Sequence, residues 1–160
     1  MTDIPQLPAP TWFAGCGNMG QAIVAGWRGA GIDLSSAVVI RPSGAPVEGV
    51  RTVAAYADAG VQPRLVILAA KPHKLSEVAD QLRPWLTSKA VVVSLLAGVE
   101  LATLKRHFRK AAAIVRAMPN LGVAVRRGVI ALASEDADDK QRAQLASLFA
   151  PLGYALWVPD

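Results

Sequence analysis

A glycine-rich segment near the start of the chain constrains its fold more than any other feature. The segment reads Gly15-Cys16-Gly17-Asn18-Met19-Gly20 and has the spacing G-x-G-x-x-G. It follows a short apolar stretch, residues 11–14, and leads into an apolar helical pattern from Gln21. A strand, a glycine turn and a helix in this order are typical of the dinucleotide-binding turn of the Rossmann fold.

Each glycine of this turn has a separate physical role. Gly15 allows the tight turn after the strand, and Gly17 leaves room for a diphosphate beside the backbone. Gly20 lets the helix pack closely on the sheet. The diphosphate would lie on the free N–H groups at the positive end of the helix. A tight turn that binds no ligand is the alternative, and the readable strand and helix on either side favour dinucleotide binding.

Strand and helix patterns alternate along the chain with short turns between them, which indicates parallel βαβ units. The apolar runs predict strands at residues 11–14, 37–40, 50–53, 64–70, 90–95, 113–117, 128–133 and 154–158. Helices are predicted from residue 21 and at residues 54–59, 74–86, 100–109 and 136–149. The predicted fold is therefore α/β and Rossmann-type, with three layers: a mainly parallel sheet of about eight strands and helices on both faces.

Domain organisation and location follow from composition. Of the 160 residues, 52% are hydrophobic and 18% are charged, which fits a single soluble α/β domain and not a disordered chain. We expect residues 1–10 to be a loose leader and residues 11–160 to be one dinucleotide-binding domain, with no second domain. The longest apolar stretch, residues 90–99, is too short to span a membrane, and the start carries no secretory signal. A cytoplasmic protein is expected.

Cysteine content and charge limit the possible ligands. Cys16 is the only cysteine, so an intrachain disulfide and a cysteine-based metal cluster are excluded. The net charge is +5, and residues 101–128 contain seven Lys or Arg and no Asp or Glu. Aromatic residues are scattered and no nucleic-acid-binding motif is present. We therefore expect a solvated basic face, no nucleic-acid partner, no membrane partner and no metal site.

The second strand ends without the acidic residue that usually binds the ribose hydroxyls of NAD. No Asp or Glu lies between Asp33 and Glu48, and Arg41 stands at the strand end with Ser43 close behind. A guanidinium pairs with the additional phosphate of NADP, whereas a carboxylate would repel it. NADP (as NADPH) is expected in preference to NAD, which stays possible. The alternative is a surface turn that happens to contain Arg41.

Four motifs in order extend this interpretation from a fold to a family. They are Gly15 to Ile23, Leu68-Ala69-Ala70-Lys71-Pro72, Ser94-Leu95-Leu96-Ala97-Gly98-Val99 and Arg116-Ala117-Met118-Pro119-Asn120. The series resembles the N-terminal cofactor domain of pyrroline-5-carboxylate reductases, over about residues 11–160. These enzymes transfer hydride from NADPH or NADH to 1-pyrroline-5-carboxylate and form proline, so the resemblance implies that small-molecule substrate.

The resemblance also implies roles for individual residues. Around the diphosphate it places Gly15, Gly17, Asn18 and Met19, with Cys16 and Gly20 in the same cofactor-binding turn; beside the adenosine phosphate, Arg41 and Ser43; near the nicotinamide, Ala70, Lys71, Pro72, Ala97 and Gly98; and in the substrate vicinity, Met118, Pro119 and Asn120. Lys71 is the candidate catalytic residue, and fixing a loop by bonding to carbonyls is its alternative role. A protonated cyclic imine already carries the charge that accepts hydride, so the site needs orientation and dryness more than a strong acid.

Several residues have a simpler expected role. His73 is expected to be a satisfied loop residue and His107 a surface residue. A thiol at a helix start can have a lowered pKa, but for Cys16 we expect a packed small residue.

Two departures from the family keep other interpretations open. Leu121 and Gly122 follow Asn120, where the family usually has Thr and small residues. The C-terminal helical domain, through which intact family members oligomerise and hold the substrate carboxylate, is not matched, so the chain is expected to be inactive alone. The alternatives are a stand-alone NADP-binding or sensing protein, or another NADP-dependent reductase of the same superfamily, such as a ketopantoate-type or deazaflavin-linked enzyme.

Overall fold

A single eight-stranded sheet organises the computed structural model, which describes residues 3–160. Its strands are β1 (Thr11–Ala14), β2 (Ala37–Ile40), β3 (Arg51–Val53), β4 (Leu65–Leu68), β5 (Val91–Ser94), β6 (Ala113–Met118), β7 (Gly128–Ala133) and β8 (Gly153–Trp157). The α-helices are α1 (Asn18–Gly29), α2 (Leu75–Leu82), α3 (Leu101–His107) and α4 (Asp139–Phe149). Short 3₁₀ helices lie at Tyr56–Asp58, Pro72–Lys74, Arg83–Trp85, Leu121–Val125 and Ala150–Leu152.

The strand order across the sheet is β3-β2-β1-β4-β5-β6-β7-β8. All neighbouring strands are parallel except β6 and β7, which pair antiparallel with Met118 opposite Ala131. The order reverses between β1 and β4, because β2 and β3 extend to one side and β4 onwards to the other. The mainly parallel, eight-stranded Rossmann-type fold predicted from the sequence is confirmed.

Helices cover the sheet on both faces and divide the core in two. One apolar cluster packs α1 and α4 on one face, and the other packs α2 and α3 on the opposite face. Strands β1, β2 and β4 are buried throughout, as expected for apolar strands covered on both faces. Trp27 of α1 joins the first layer to α4, since its indole N–H donates to the Leu148 carbonyl at 2.9 Å.

Helix boundaries differ from the predicted ones for local reasons. The last helix starts at Asp139 and not at residue 136, because Asp138 and Gln141 form a reciprocal capping box. The helix predicted over 74–86 is α-helical only to Leu82 and then continues as a 3₁₀ turn, where Pro84 has no N–H to donate. The 3₁₀ helix at Leu121–Val125 was not predicted.

Residues 3–10 lie against the domain without helix or strand. Leu7 is buried in the α1–α4 cluster, and the Pro8 carbonyl accepts from the Thr11 hydroxyl at 2.6 Å. The Pro10 carbonyl accepts from the Arg64 N–H at 2.9 Å. The described part of the segment expected to be a loose leader is therefore attached to the start of β1 and β4. Within residues 3–160, no helix has the length and apolar character needed to cross a membrane.

Candidate functional site

The carboxyl ends of β1 and β4 meet where the strand order reverses, which is the usual position of a ligand crevice in such sheets. The backbones that leave these strands are joined by hydrogen bonds. Ala69 donates its N–H to Ala14 at 3.0 Å, and Gly17 donates to Ala69 at 3.3 Å. The glycine turn and the segment after β4 thus form one wall.

The backbone and the packing around it favour glycine at two positions of the turn. Gly15 has φ +80°, and a Cβ there would lie 2.9 Å from the Ala70 Cα. A Cβ on Gly20 would lie 3.0 Å from the Ala69 Cβ and 3.1 Å from the Cys16 Sγ. The left-handed backbone and the nearby Ala70 explain the glycine at position 15. Close contact between the helix and the sheet explains the glycine at position 20.

Gly17 differs from the other two glycines. It is exposed, and a Cβ there would meet only the Ala69 carbonyl oxygen, at an ordinary 3.6 Å. Protein packing does not require glycine at this position, so the missing side chain leaves space on the crevice side. This fits the role in which a ligand approaches the backbone closely.

The start of α1 faces the same crevice. Gly17 is its N-cap and makes no side-chain capping bond, and no acidic residue lies in the first turn. The N–H groups of Asn18, Met19 and Gly20 have no acceptor within the helix, and the helix dipole is positive at this end. These backbone groups can bind an anion such as a diphosphate.

Two adjoining cavities extend from this wall. The first, the β2-side cavity, has a volume of about 490 Å³ and reaches from Gly15 and Cys16 to the turn after β2. The second, the β5-side cavity, has a volume of about 500 Å³ and reaches from Asn18 and Met19 to the segment after β5. They share four lining residues, namely Gly17, Ala69, Ala70 and Lys71.

The turn after β2 supplies polar groups to the β2-side cavity. Arg41 follows β2 directly and is half-buried, and its N–H donates to Val53 of β3 at 3.0 Å. Its side chain makes no salt bridge within residues 3–160. Ser43 lines the same cavity, and its hydroxyl accepts from the Ala45 N–H at 3.2 Å. The guanidinium is thus available to an anionic ligand.

Cys16 is a packing residue and not a reactive thiol. Its side chain is 4% exposed. Burial raises the pKa of the Cys16 thiol to about 11, and the nearby Arg41 charge offsets this only in part. The thiol is protonated at neutral pH, as expected for a packed small residue.

Lys71 lies where the two cavities meet. It is exposed and precedes Pro72, which opens the 3₁₀ helix Pro72–Lys74. Within residues 3–160 its ammonium group donates no hydrogen bond to a backbone carbonyl, the contact that a loop-fixing role requires. His73 is exposed on the same 3₁₀ helix, and His107 is partly exposed at the end of α3.

The remaining predicted site residues lie at one margin of the β5-side cavity or outside both cavities. Ala97 lines the β5-side cavity, but Gly98 is exposed just beyond it. Met118 is the last residue of β6, which is two strands from β4, and Pro119 follows it. The Asn120 side chain accepts from the Gly122 N–H at 3.2 Å and caps the 3₁₀ helix Leu121–Val125.

The structure adds cavity residues that the sequence did not indicate. Tyr56, Lys74 and Glu77 line the β2-side cavity, and Leu95 lines the β5-side cavity. Burial raises the pKa of Tyr56 to about 12, so its hydroxyl is neutral. The sequence could have indicated Lys74 as a cavity residue, because it follows the end of β4 by six residues. The carboxyl ends of parallel strands lie at one edge of the sheet, where the cavity is. Within residues 3–160, no group of three His, Cys, Asp or Glu is placed to hold a metal ion.

Comparison with protein families gives a match over more than half of the chain. The model of a family described as NADP oxidoreductase coenzyme F420-dependent matches residues 12–98, which run from the second residue of β1 through β5 and include the glycine turn. The cavities described above are lined entirely from this matched region.

Individual relatives are pyrroline-5-carboxylate reductases, which confirms the resemblance found in the sequence. The chain is 29% identical to the enzyme of Pseudomonas aeruginosa over 155 residues, covering 92% of this chain and 57% of that protein. The solved structure of the Coxiella burnetii enzyme has a TM-score of 0.84 and 30% identity, covering 96% of this chain and 60% of that one. The chain thus spans about three fifths of the length of these relatives.

A solved structure with bound cofactor shares the fold. The pyrroline carboxylate reductase of Plasmodium falciparum, determined with NADP bound, has a TM-score of 0.81 and 20% identity. The alignment covers 99% of this chain and 58% of the Plasmodium falciparum chain. The domain therefore has the fold of an NAD(P)-binding oxidoreductase.

Proposed function

This chain belongs to the NADP oxidoreductase coenzyme F420-dependent family, and from that premise we propose that it is the NADPH-binding domain of a reductase acting on a C=N bond. One observation carries the proposal: the glycine turn and the acid-free turn with Arg41 line the same cavity at the carboxyl ends of the strands. The similarity to pyrroline-5-carboxylate reductases supports 1-pyrroline-5-carboxylate as the substrate of the complete enzyme.

The proposed binding mode follows the two cavities. The diphosphate lies on the N–H groups at the start of α1, beside Gly17. The adenosine half enters the β2-side cavity, where Arg41 and Ser43 bind the additional phosphate of NADP. The nicotinamide half enters the β5-side cavity beside Ala97.

The chemistry that these residues supply is mainly orientation. When bound, NADPH supplies the hydride. Lys71 stands where the cavities meet and binds the ligand there, without moving a proton itself. A cyclic imine that is already protonated needs no such transfer. Neither His73 nor His107 is paired with a carboxylate within residues 3–160, as an alcohol-oxidising site would require.

We propose that turnover needs polypeptide beyond these 160 residues. Pro72, Ala97 and Gly98, at the nicotinamide end of the crevice, are exposed to water. Hydride transfer requires a closed site that excludes water and holds the acceptor. The relatives are longer than this chain, and their additional length is the proposed source of that cover.

The test is a titration of the purified chain with NADPH, followed by nicotinamide fluorescence, and then addition of 1-pyrroline-5-carboxylate. We expect saturable NADPH binding, weaker NADH binding and little oxidation of NADPH. Absence of NADPH binding would refute the proposal. Rapid oxidation would instead show that residues 1–160 contain a complete active site.

The family description supports a second candidate, hydride exchange between NADP and a deazaflavin coenzyme. In this case the β5-side cavity would hold the edge of the deazaflavin in place of an imine. Adding an oxidised deazaflavin to the NADPH-loaded chain tests the candidate directly. Bleaching of the deazaflavin absorbance at a rate that depends on the chain would favour it over imine reduction.

A further inference from the structure

Lys74 is a cationic residue of the β2-side cavity that comes from a different element than Arg41. Arg41 and Ser43 lie on the turn after β2, whereas Lys74 ends the 3₁₀ helix after β4 and directly precedes α2. Parallel strands bring both turns to one edge of the sheet. Two positive side chains from two separate turns therefore line one cavity.

The charges around this cavity favour an anion but include one opposing group. Its charged lining residues are Arg41, Lys71, Lys74 and Glu77. The Lys74 ammonium lies 3.5 Å from the Glu77 carboxylate, and the two side chains are 54% and 60% exposed. Exposed pairs three residues apart on a helix are weak. A phosphate monoester carries more charge and more acceptor atoms than a carboxylate, so it can displace Glu77 as the partner of Lys74.

We infer that Lys74 is a second binding residue for the 2′-phosphate of NADP, acting with Arg41, and that Glu77 weakens the binding of that phosphate. This inference rests on the proposed function, because it assigns a further specificity residue to the same cavity. Its distinctive feature is two neighbouring side chains with opposite effects. Removing the charge of Lys74 lowers NADPH affinity, and removing the charge of Glu77 raises it.

The experiment measures the dissociation constants of NADPH and NADH for the full chain and for single variants. Lys74→Met is expected to weaken NADPH binding about five- to tenfold and to change NADH binding less than about twofold. Glu77→Gln is expected to tighten NADPH binding about two- to threefold with no change for NADH. Lys74→Arg keeps the charge and should retain most of the NADPH preference.

Lys89→Met is the matched control, because it removes an exposed lysine that precedes β5 at the opposite edge of the sheet. It should leave both dissociation constants unchanged. Adenosine 2′-monophosphate serves as a second probe, since it carries the phosphate without the nicotinamide. Its affinity should fall in Lys74→Met and rise in Glu77→Gln.

The possible outcomes distinguish failure of this inference from failure of the proposed function. Equal losses for NADPH and NADH in Lys74→Met would mean that Lys74 only supports the local structure, and would overturn the inference. Unchanged NADPH binding in Lys74→Met, with a large loss in an Arg41 variant, would overturn it while the proposed function stands. A wild-type chain that binds neither cofactor would overturn both.

Discussion

Strands β1, β2, β4 and β5 differ from strands β7 and β8 in how the two faces of the sheet are covered. In the first group, successive residues pack alternately against α1 with α4 and against α2 with α3. In the second group, one face packs on the α1–α4 layer, and Val129 and Tyr154 on the other face are 47% and 65% exposed. Strand β6 is intermediate, because Ile114 is buried in the α2–α3 cluster and Met118 at its end is 40% exposed.

The register explains the uncovered face. Val129 is paired with Tyr154, and Met118 with Ala131, so these side chains point to the same side. Helices α2 and α3 cover the strands up to Ile114 of β6 but do not extend over β7 and β8. Residues 11–97, the covered region, contain strands β1, β2, β4 and β5, the glycine turn and every lining residue of both cavities. The half-covered region contributes to the core through one face only, and none of its residues line the two cavities.

The largest expected effect is that of Gly15→Ala in the covered region. The new Cβ would clash with the Ala70 backbone and stand on a left-handed φ of +80°. We expect a loss of about 2–4 kcal/mol in the free energy of unfolding and at least a tenfold loss in NADPH affinity. Urea denaturation and fluorescence titration measure the two quantities.

Gly60→Ala is the control for Gly15→Ala. Gly60 also has a left-handed φ, +99°, but a Cβ there would meet no atom within 4 Å. Only the backbone cost of about 1 kcal/mol is expected, with unchanged NADPH affinity. Equal effects of the two variants would show that the clash with Ala70 does not determine the geometry of the turn.

Arg41→Asp tests which dinucleotide the covered region prefers. The change replaces a guanidinium by a carboxylate, which repels the 2′-phosphate. NADPH affinity should fall about a hundredfold, while NADH affinity stays within about threefold. The measurement is the ratio of the two dissociation constants. An equal fall for both cofactors would refute the assignment of Arg41.

The buried Cys16 thiol makes the free energy of unfolding decrease at alkaline pH. Because the folded pKa of about 11 lies above the ordinary 9.0, the unfolded chain loses this proton first as the pH rises. The stabilisation that comes from keeping this thiol protonated is complete below pH 9 and is lost progressively between pH 9 and pH 11. Cys16→Ala should abolish this part of the decline, about 1 kcal/mol at pH 10, in paired urea titrations. Parallel declines for both proteins would contradict it.

The smallest effect is expected for Val129→Thr on the uncovered face. The substitution keeps the shape and adds a hydroxyl that water can solvate, so stability should change by less than about 0.5 kcal/mol. Val39→Thr in β2 is the matched variant, because Val39 is 0% exposed. Its buried hydroxyl should cost about 1–3 kcal/mol. Similar costs for the two variants in urea denaturation would mean that both regions are covered equally.

Local sequence patterns predicted most of the fold. Strand β1 and strand β2 were predicted with their observed bounds, as was β7, because each is an apolar run that stops at glycine, proline or polar residues. The 3₁₀ helix Leu121–Val125 was missed. It forms because Asn120 caps it and because it packs on α1, where a Cβ on Gly26 would overlap the Val123 carbonyl oxygen. Contacts between residues so far apart leave no periodic signal in the sequence.

The site was predictable to a similar degree. The glycine turn and Arg41 are short-range signals, since each depends on a residue type at a fixed distance from a strand end. Lys74, Glu77 and Tyr56 enter the cavity only because the strand order places the turns after β2 and β4 together. The place of Asn120 near the substrate stays a prediction, and the capping bond that its side chain accepts from the Gly122 N–H had no signal in the sequence analysis.

The sequence by itself determined most of the elements and the glycine turn, because these depend on hydrogen bonding and backbone freedom over a few residues. The tertiary structure alone decided which face of β7 and β8 stays uncovered, that β6 and β7 run antiparallel, and that Lys74 and Glu77 share a cavity with Arg41. These features depend on which strands become neighbours. That choice is made by burial summed over the whole sheet and not by any single segment.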